Sequence, residues 1–525
     1  MNRKIRQLAL GLMTCYVILF VALNYWHVGR KEELDARFDN TRSVVREFNR
    51  PRGPIVSADG IVAARSLPAP AEVRADFERE YPTGDLLSHA TGYFTFAFGS
   101  TQVEKSHGDV LTGQTTEQQI RSIGDILNAD VDNSGSVQLT LRHDLQQVAK
   151  FLMGANEGSV VVMEPDTGAV RAMWTSPSYD PNTFVNEEFE TAQDNLVALQ
   201  QDPDNPILAK SYQDRFMPGS TFKVITTGIA LENGTITTET AYPDETEYVP
   251  PQTSDPINNY NNTVCGGDLA EVFARSCNIP FAKMGIEMGP DAFIAGTKDW
   301  GIDQNIPFDL PRGARSTIGD VSNLDDELPL LAIRAFGQSE VQMVPMHMAM
   351  VASTVANNGI MMRPYAIGAT YDHDGGLLAR TRPEEWKEPL SAESASILRD
   401  LMVGVVEVGT ASCCLNLEGG VQAAAKTGTA ELGLEDDPDL VHAWIIAFAP
   451  ADDPQYAVSV VVNNIRSTSE LAATGGRVAG PIAEGILDYL LTGEGADVVV
   501  GESPGPLPDI EPLPDPDTPD DGAGN

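Results

Sequence analysis

The stretch Met217-Pro218-Gly219-Ser220-Thr221-Phe222-Lys223 decides how the rest of the chain is interpreted. A Pro-Gly turn followed by an apolar run predicts a helix over Thr221–Glu232. Ser220 and Lys223 are three residues apart, so their side chains share one helix face and a hydrogen bond between them is possible. A serine hydroxyl is a weak nucleophile until a base takes its proton, and a neutral lysine amine can be that base.

The lysine of such a pair must be unusual. An ordinary lysine pKa of ~10.4 leaves well under ~0.1% of the amine neutral at pH 7. Burial and a nearby positive charge must therefore lower the pKa of Lys223 by roughly 2–3 units. Chance alone yields about one or two Ser-x-x-Lys pairs in a chain of 525 residues. Taken by itself, the pair is better interpreted as surface residues on a helix.

A second cluster, Ser276-Cys277-Asn278, lies within a helical pattern predicted over Gly267–Met288. In a loop between helices, the Ser276 hydroxyl could relay a proton. The Asn278 amide could bind a peptide carbonyl and orient a lysine. The simpler alternative is a helix cap, because serine and asparagine both favour that position.

The third cluster, Lys426-Thr427-Gly428-Thr429, lies on a predicted edge strand over Val421–Leu432. Lys426 supplies positive charge for a carboxylate, and the Thr427 hydroxyl can bind the same group. Gly428 permits another backbone to approach closely, as addition of a peptide strand requires. An ordinary glycine bulge is the alternative.

The surrounding patterns predict an α+β fold in which one antiparallel sheet is packed by helices. Two apolar runs joined by a turn at Asp166-Thr167-Gly168 predict a hairpin. Three more strands follow the helical part of the chain. The predicted strands are Ser159–Met163, Ala169–Met173, Val421–Leu432, Val441–Ala449 and Tyr456–Val462, and the predicted helices after Glu232 are Gly267–Met288, Met346–Asn357 and Ala392–Val408.

The N-terminus carries an apolar run over Leu8–Val28 behind a short basic segment. Such a run spans a hydrocarbon core of ~30 Å. It exceeds the usual apolar region of a signal peptide and no small-residue cleavage site follows, so an anchor is favoured over a cleaved signal. We expect residues 1–30 to be a cytoplasmic stub and transmembrane signal anchor, with the rest of this single-pass protein outside the cytoplasmic membrane.

The net charge of −40 argues against a nucleic-acid partner, which would require a basic face. The five cysteines do not make a disulfide scaffold. Cys265 and Cys277 are close enough to pair and Cys413 and Cys414 are adjacent, but free thiols are an equal alternative. The acidic, proline-rich segment 493–525 is predicted to be disordered.

The three clusters, in this order, resemble the motif set of penicillin-binding proteins and serine β-lactamases. Further similarity runs from Arg52 to about Leu491 and indicates a class B penicillin-binding protein, most like the actinobacterial penicillin-binding protein A type. The segments that carry it include Arg52-Gly53-Pro54-Ile55, Glu104, Leu139-Thr140, Asp166-Thr167-Gly168, Ser176-Pro177-Ser178-Tyr179-Asp180-Pro181-Asn182, Gly337-Gln338 and His442-Ala443-Trp444. The resemblance implies a pedestal domain at 31–137 and a transpeptidase domain of the penicillin-binding and serine β-lactamase-like fold at 138–492.

The resemblance also implies a reaction. Ser220 would attack the penultimate D-alanine carbonyl of a peptidoglycan stem peptide, with Lys223 as general base. The backbone N–H groups of Ser220 and Thr429 would hold the oxyanion. Ser276 would relay the proton to the leaving amine, and Asn278 would hold the substrate amide.

For the other end of the substrate, Lys426 and Thr427 would bind the terminal carboxylate beside Gly428 and Thr429. Lys426 would also lower the pKa of Lys223. Penicillin and other β-lactams would acylate Ser220 because they imitate the D-Ala-D-Ala terminus. No metal or cofactor is called for by these residues.

The expected product is a cross-link between stem peptides, made on strands built from the lipid-linked precursor. Three rivals remain: a D,D-carboxypeptidase or β-lactamase that uses water, a β-lactam receptor, and a bifunctional enzyme with its own polymerase. The region before the transpeptidase domain is too short to hold a polymerase domain, which argues against the bifunctional enzyme. By resemblance, the polymerase partner is a membrane glycosyltransferase of the shape, elongation, division and sporulation (SEDS) family.

Overall fold

The structure is a computed structural model that describes residues 2–25, 49–70, 76–95, 98–121, 133–185, 189–433, 439–467 and 473–493. The predicted disordered tail, apart from Gly493, lies outside the described residues. The chain divides into two compact units, residues 1–51 with 66–78 and residues 52–65 with 79–525. All candidate site residues belong to the second unit.

The first unit contains helix α1, Asn2–Asn24. An 18-residue window within Arg3–Asn24 has a mean hydropathy of 1.8, and none of it is buried. The helix is therefore long and apolar enough to cross a membrane by length and composition. The end of the predicted apolar run, after Tyr25, lies outside the described residues.

The strands are numbered in chain order, and most of them are short. They are β1 (Ile55–Val56), β2 (Val62–Pro68), β3 (Phe77–Glu80), β4 (Phe94–Thr95), β5 (Gly99–Ser100), β6 (Ser136–Leu139), β7 (Gly158–Met163), β8 (Val170–Ser176), β9 (Ala241–Glu245), β10 (Glu247–Tyr248), β11 (Ile257–Asn258), β12 (Cys265–Asp268), β13 (Met361–Met362), β14 (Ile367–Tyr371), β15 (Leu377–Arg380), β16 (Glu385–Lys387), β17 (Ala424–Glu431), β18 (Leu440–Ala449) and β19 (Tyr456–Arg466).

The α-helices after α1 are numbered in the same way. They are α2 (Ser88–Thr91), α3 (Gln102–Ser106), α4 (Gly108–Leu111), α5 (Thr116–Arg121), α6 (His143–Met153), α7 (Asn182–Val185), α8 (Phe189–Gln201), α9 (Lys210–Gln213), α10 (Lys223–Glu232), α11 (Leu269–Ala274), α12 (Ile279–Met288), α13 (Pro290–Asp299), α14 (Leu328–Arg334), α15 (Pro345–Ala356), α16 (Ala392–Glu407), α17 (Gly475–Val478) and α18 (Gly480–Thr492).

A five-stranded sheet in the order β17-β18-β19-β7-β8 forms the centre of the second unit. Every neighbouring pair is antiparallel, and β19 pairs with β7 so that Ala457 lies opposite Met163. Strands β7 and β8 are buried at every position, which requires helices over the sheet. Helix α15 packs on β19 and β7, while α6 and α18 pack on each other and on the sheet. The predicted α+β fold is confirmed.

The edge position of β17 is also confirmed, since β18 is its one neighbour among the described strands. The edge leaves one side of the strand that carries Lys426 and Thr427 free of a ladder partner. An exposed strand edge is the geometry to which a peptide can add.

The prediction of one helix over Gly267–Met288 is wrong, because the chain forms α11 and α12 with a turn between them. Ser276 in that turn has φ of +59°, a left-handed conformation that a right-handed helix cannot contain. Pro280 then occupies the first turn of α12, where its missing N–H is harmless.

A second sheet places β15, β14, β6, β1 and β2 side by side. Strand β6 pairs with β1 in parallel and with β14 antiparallel, so early and late parts of the chain share one sheet. The predicted domain boundary between residues 137 and 138 falls inside β6.

Three buried charged side chains, Arg52, Arg79 and Glu104, form an ion cluster near this sheet. Glu104 accepts from Arg52 Nε at 2.9 Å and from Arg79 Nε at 2.6 Å, and all three side chains are at most 1% exposed. Burial alone would raise the pKa of the Glu104 carboxyl, but Arg79 and Arg52 together hold this pKa below its usual range. The carboxylate therefore stays ionised and compensates two buried guanidinium groups.

Replacing Glu104 with alanine is expected to lower the free energy of unfolding by about 3–5 kcal/mol, because two buried cations would lose their shared anion. Glu80→Ala is the matched control, since the Arg65–Glu80 pair is 26% and 36% exposed. That change should cost about 1 kcal/mol or less. Urea unfolding of the detergent-solubilised chain measures both values, and similar losses in the two variants would contradict the prediction.

Candidate active site

Ser220 lies in a short 3₁₀ helix, Gly219–Phe222, which runs directly into α10. The predicted helix over Thr221–Glu232 is present, but its first two residues belong to the 3₁₀ turn and the α-helix itself begins at Lys223. Gly219 has φ of +54°, and a Cβ atom at this position would lie 2.6 Å from the Thr429 carbonyl oxygen. Only glycine permits this turn and strand β17 to come so close.

Gly428 permits the same approach from the strand side. A Cβ atom at Gly428 would lie 2.5 Å from the Pro218 carbonyl oxygen. The backbone that packs closely against Gly428 is therefore the chain's own turn before Ser220. From the sequence, an incoming peptide was expected in this place. Trp444 on β18 adds a further tie, because its Nε1 donates to the Met217 carbonyl at 2.9 Å.

Lys223 is fully buried and points into the turn between α11 and α12. Its Nζ donates to the carbonyl oxygens of Ser276 and Cys277, each at 2.8 Å, and to Asn278 Oδ1 at 3.0 Å. Three acceptors match the three donors of a lysine ammonium. Before Lys223 can act as a base, it must lose a proton and turn its lone pair away from one of these acceptors.

Lys426 lies beside Lys223, and the two amines share one hydroxyl. Lys426 Nζ donates to Ser276 Oγ at 2.8 Å, and Lys223 Nζ lies 3.4 Å from the same oxygen. Burial, and then the positive charge of Lys426, hold the pKa of Lys223 well below its usual range. Burial lowers the pKa of Lys426 to about 7. Both causes that the sequence argument required, burial and a neighbouring cation, are present.

Aromatic rings accompany both lysines. Lys223 Nζ lies 5.0 Å from the centroid of the Phe281 ring, and Lys426 Nζ lies 5.7 Å from that of Phe273. The faces of such rings attract a cation and offset part of the loss of water. The rings also exclude solvent, which strengthens the electrostatic coupling between the amines.

The turn at Ser276 to Asn278 is held from several sides. Asn259 is buried, and its Oδ1 accepts from the backbone N–H groups of Asn278 at 2.9 Å and Ile279 at 3.1 Å. A disulfide joins Cys277 to Cys265 on β12. Asn278 precedes α12 but makes no capping hydrogen bond with its side chain, which binds Lys223 instead. Asn278 therefore occupies the cap position of α12, as the alternative predicted, but its side chain does not act as the cap.

Asn259 was missed by the sequence argument. It stands in the run Asn258-Asn259-Tyr260-Asn261-Asn262, where nothing local distinguishes one asparagine from the next. Only its buried position shows which of them binds the turn.

Thr427 and Thr429 face residues that sequence reasoning also missed. Thr427 Oγ1 lies 2.5 Å from Thr410 Oγ1, in the turn after α16. Thr429 Oγ1 accepts from the N–H of Gly475 at the start of α17 at 3.2 Å. Thr410 and Gly475 carry no motif of their own, so no local signal could have identified them.

The structure brings the three predicted clusters together. Hydrogen bonds link Lys223, Ser276, Asn278 and Lys426 directly, and the turn of Ser220 packs against the backbone of β17. Within the described part of the chain, the Ser220 hydroxyl has no hydrogen-bond partner and remains partly accessible. Catalytic hydrogen bonds commonly form only when substrate is bound.

Of the two alternatives for the paired positions, disulfides or free thiols, the structure shows disulfides. Cys413 and Cys414 form a disulfide between adjacent residues. Cys15 on α1 is free and exposed.

A serine at the start of a buried helix, two coupled lysines and an open sheet edge, all on an antiparallel sheet packed by helices, define the class of serine enzymes that react with penicillin. The chain belongs to the penicillin-binding protein transpeptidase family. Residues 158–488 match its penicillin-binding protein transpeptidase domain, and residues 52–137 match the penicillin-binding protein A dimerisation domain.

Similar proteins cover nearly the whole chain. Peptidoglycan D,D-transpeptidase PbpA of Mycolicibacterium smegmatis is 34% identical over 498 residues, which are 92% of this chain and 97% of that protein. A ceftriaxone acyl-enzyme structure of penicillin-binding protein A from M. tuberculosis is 32% identical, with a TM-score of 0.78 over 85% of this chain and 100% of that one. The penicillin G acyl-enzyme of the same protein has a TM-score of 0.76 and 32% identity, over 84% of this chain and 100% of that one.

Proposed function

We propose that this chain is a peptidoglycan D,D-transpeptidase that cross-links stem peptides through an acyl-enzyme on Ser220 and is acylated by β-lactams at the same atom. The observation that carries the proposal is the hydrogen-bonded set Lys223, Ser276, Asn278 and Lys426 beside the accessible serine. The M. smegmatis relative named a peptidoglycan D,D-transpeptidase supports it.

In the first half-reaction, neutral Lys223 takes the proton of Ser220 while Oγ attacks the penultimate D-alanine carbonyl. The N–H groups of Ser220 and Thr429 hold the developing oxyanion. The C–N bond breaks, and Ser276 gives its hydroxyl proton to the departing D-alanine amine. Lys223, 3.4 Å from Ser276 Oγ, restores that proton. The result is an ester on Ser220 and a free D-alanine.

In the second half-reaction, the amine of a neighbouring stem peptide attacks the ester. Lys223 now accepts the proton of the amine and returns one to Ser220, which leaves as the alcohol. Asn278 holds the donor amide in both half-reactions, whereas Lys426 and Thr427 hold the carboxylate of the D-Ala-D-Ala terminus in the first one, before D-alanine leaves. The edge of β17 that has no ladder partner among the described strands, with Gly428 and Thr429, is where the donor peptide lies as an added strand.

The placement of the enzyme follows from α1. We propose that residues 1–30 form a cytoplasmic stub and single membrane anchor, and that the catalytic domain lies outside the cytoplasmic membrane. Residues 31–137 form the pedestal and residues 138–492 the transpeptidase domain in this scheme. The disulfide between Cys265 and Cys277 supports an oxidising surrounding.

The test separates transfer from hydrolysis. The detergent-solubilised chain is incubated with a pentapeptide ending in D-Ala-D-Ala and a fluorescent D-amino acid as acceptor amine, and products are analysed by mass spectrometry. Exchange of the terminal D-alanine for the acceptor supports a transpeptidase. If tetrapeptide were the only product, the chain would be a carboxypeptidase. If the pentapeptide remained unchanged, the result would contradict the proposal altogether.

We also propose a polymerase partner, a membrane glycosyltransferase of the SEDS family, because the region before the transpeptidase domain matches a dimerisation domain over residues 52–137. Cross-linking from membranes, followed by mass spectrometry of captured proteins, tests this association. If pedestal substitutions left both capture and glycan polymerisation unchanged, and no such polymerase were captured, the partnership would fail.

The pH dependence of acylation tests Lys426. With a pKa of about 7, its amine is charged below pH 7 and loses its charge as the pH rises. Acylation efficiency with a carboxylate-bearing penicillin should therefore fall above pH 7, because this quantity reports ionisations of the free enzyme. In Lys426→Arg the group stays charged, so the alkaline fall should disappear even if the maximum rate is lower. Coincident profile shapes for the two proteins would contradict this role of Lys426.

A further inference from the structure

Thr410 occupies a junction between two parts of the site. It lies in the turn after α16, where its N–H donates to the Ala274 carbonyl at the end of α11 at 3.2 Å. Its hydroxyl reaches in the other direction, 2.5 Å from Thr427 Oγ1 on the edge strand β17. The residue thus connects the helix that leads to Ser276 with the strand that carries Lys426 and Thr427.

The two hydroxyls form a closed pair. Among the described residues, the oxygen of each has the other as its one side-chain partner. A hydroxyl has a single proton to donate, so one of the pair is donor and the other acceptor. If Thr427 is to donate to a substrate carboxylate, its proton must be free and its oxygen must accept from Thr410. Only one of the two orientations is therefore productive.

We propose that Thr410 is a positioning residue that fixes the hydroxyl of Thr427 so that its proton points to the substrate carboxylate. The inference rests on the proposed function, in which Thr427 binds that carboxylate. When the carboxylate arrives, Thr410 donates to Thr427 and Thr427 donates to the anion. A chain of two hydrogen bonds ending on a charge is stronger than either bond alone.

The backbone of Thr410 is fixed without its hydroxyl. Besides the bond to Ala274, its carbonyl oxygen packs so closely on Gly476 that a Cβ atom there would lie 2.4 Å away. Thr410 is also an exposed residue. Removing the hydroxyl while keeping the shape should therefore leave the turn in place and change only the partner of Thr427.

Thr410→Val removes the hydroxyl at nearly constant volume. Acylation of the detergent-solubilised chain is followed with penicillin G and with its methyl ester, which lacks the carboxylate charge. We expect the second-order rate constant with penicillin G to fall by about 5- to 20-fold, as for loss of one hydrogen bond that supports a charged contact. The rate constant with the methyl ester should change by less than about twofold.

Thr410→Ser, which restores the hydroxyl, should return the preference for the charged penicillin. Ser412→Ala is the matched control in the same turn, because the Ser412 hydroxyl donates only to the Gly409 carbonyl. In a Thr427→Val background, Thr410→Val should add no further loss with penicillin G, since the proton it positions is gone.

Equal losses with penicillin G and its ester, or an unchanged ratio in Thr410→Val, would overturn the proposal. A loss that Thr410→Ser fails to restore would also overturn it, because that pattern indicates packing. Failure of the unmodified chain to react with either compound is a different result, which removes the proposed function itself. Thermal unfolding of each variant shows that a rate change does not reflect a misfolded protein.

Discussion

Ser220→Ala is expected to abolish covalent labelling by a fluorescent penicillin and to lower peptide exchange by roughly 10⁴-fold or more. Without Oγ no ester can form, and no other serine stands at the start of α10 beside β17. The unmodified chain should carry one stable label for each active molecule. The measurement is a time course on a denaturing gel, which retains only covalent label.

The alanine variant keeps every hydrogen bond described for Lys223, Ser276 and Lys426, so its thermal unfolding should match that of the unmodified chain. Ser254→Ala is the matched control, because Ser254 is exposed and belongs to none of the three motifs. Equal label on Ser220→Ala would show that the nucleophile is another residue. A label that forms on Ser220 but decays within minutes would move the function towards hydrolysis.

Lys223→Met should lower the acylation rate by about 10²- to 10⁴-fold, the range expected for loss of a general base. Methionine keeps the length of the side chain and removes the amine. Lys283→Met is the matched control, since Lys283 lies on the neighbouring α12 and pairs with Glu245 outside the site. Its acylation rate should remain within about twofold of the unmodified value.

Loss of Lys223 also removes the donor to Ser276, Cys277 and Asn278, so the same variant is expected to be less stable. A small soluble amine separates the two effects. In Lys223→Ala, such an amine should restore part of the acylation rate, increasingly as pH rises through the pKa of the added amine, because the neutral form is the base. Full activity without added amine would exclude Lys223 as the base.

The central sheet could be predicted because its signals are local and repeated. Val160, Val161 and Val162 form a continuous apolar run next to an Asp-Thr-Gly turn, and the structure makes them the fully buried middle of β7. The order of the motifs supplied the rest, since it associates Ser220, Ser276 and Lys426 without any knowledge of their distances. Their hydrogen-bond contacts depend on the turn of Ser276, whose φ of +59° no propensity predicts.

Other parts could not be predicted because they depend on partners distant in the chain. Strand β14 joins β6 so that Thr370 lies opposite Val137, a pairing with no local trace in either segment. Asn259 and Thr410 are ordinary polar residues until the fold places one under the Ser276 turn and the other against Thr427. The surroundings of Gly428 could not be predicted either, because the backbone next to it is that of Pro218, which is distant in the chain.

The pairing of β19 with β7 has a consequence for synthesis on the ribosome. Ser220 and Lys223 emerge some two hundred residues before Lys426, and β17 can join the sheet only through β18 and β19. A nascent or truncated chain that ends before residue 424 contains Ser220, the proposed nucleophile, but lacks the strand that we propose binds the carboxylate. Penicillin labelling in a cell therefore counts molecules whose chain extends through β19, and the interval between the synthesis of Ser220 and the first label includes both the translation and the folding of β17, β18 and β19.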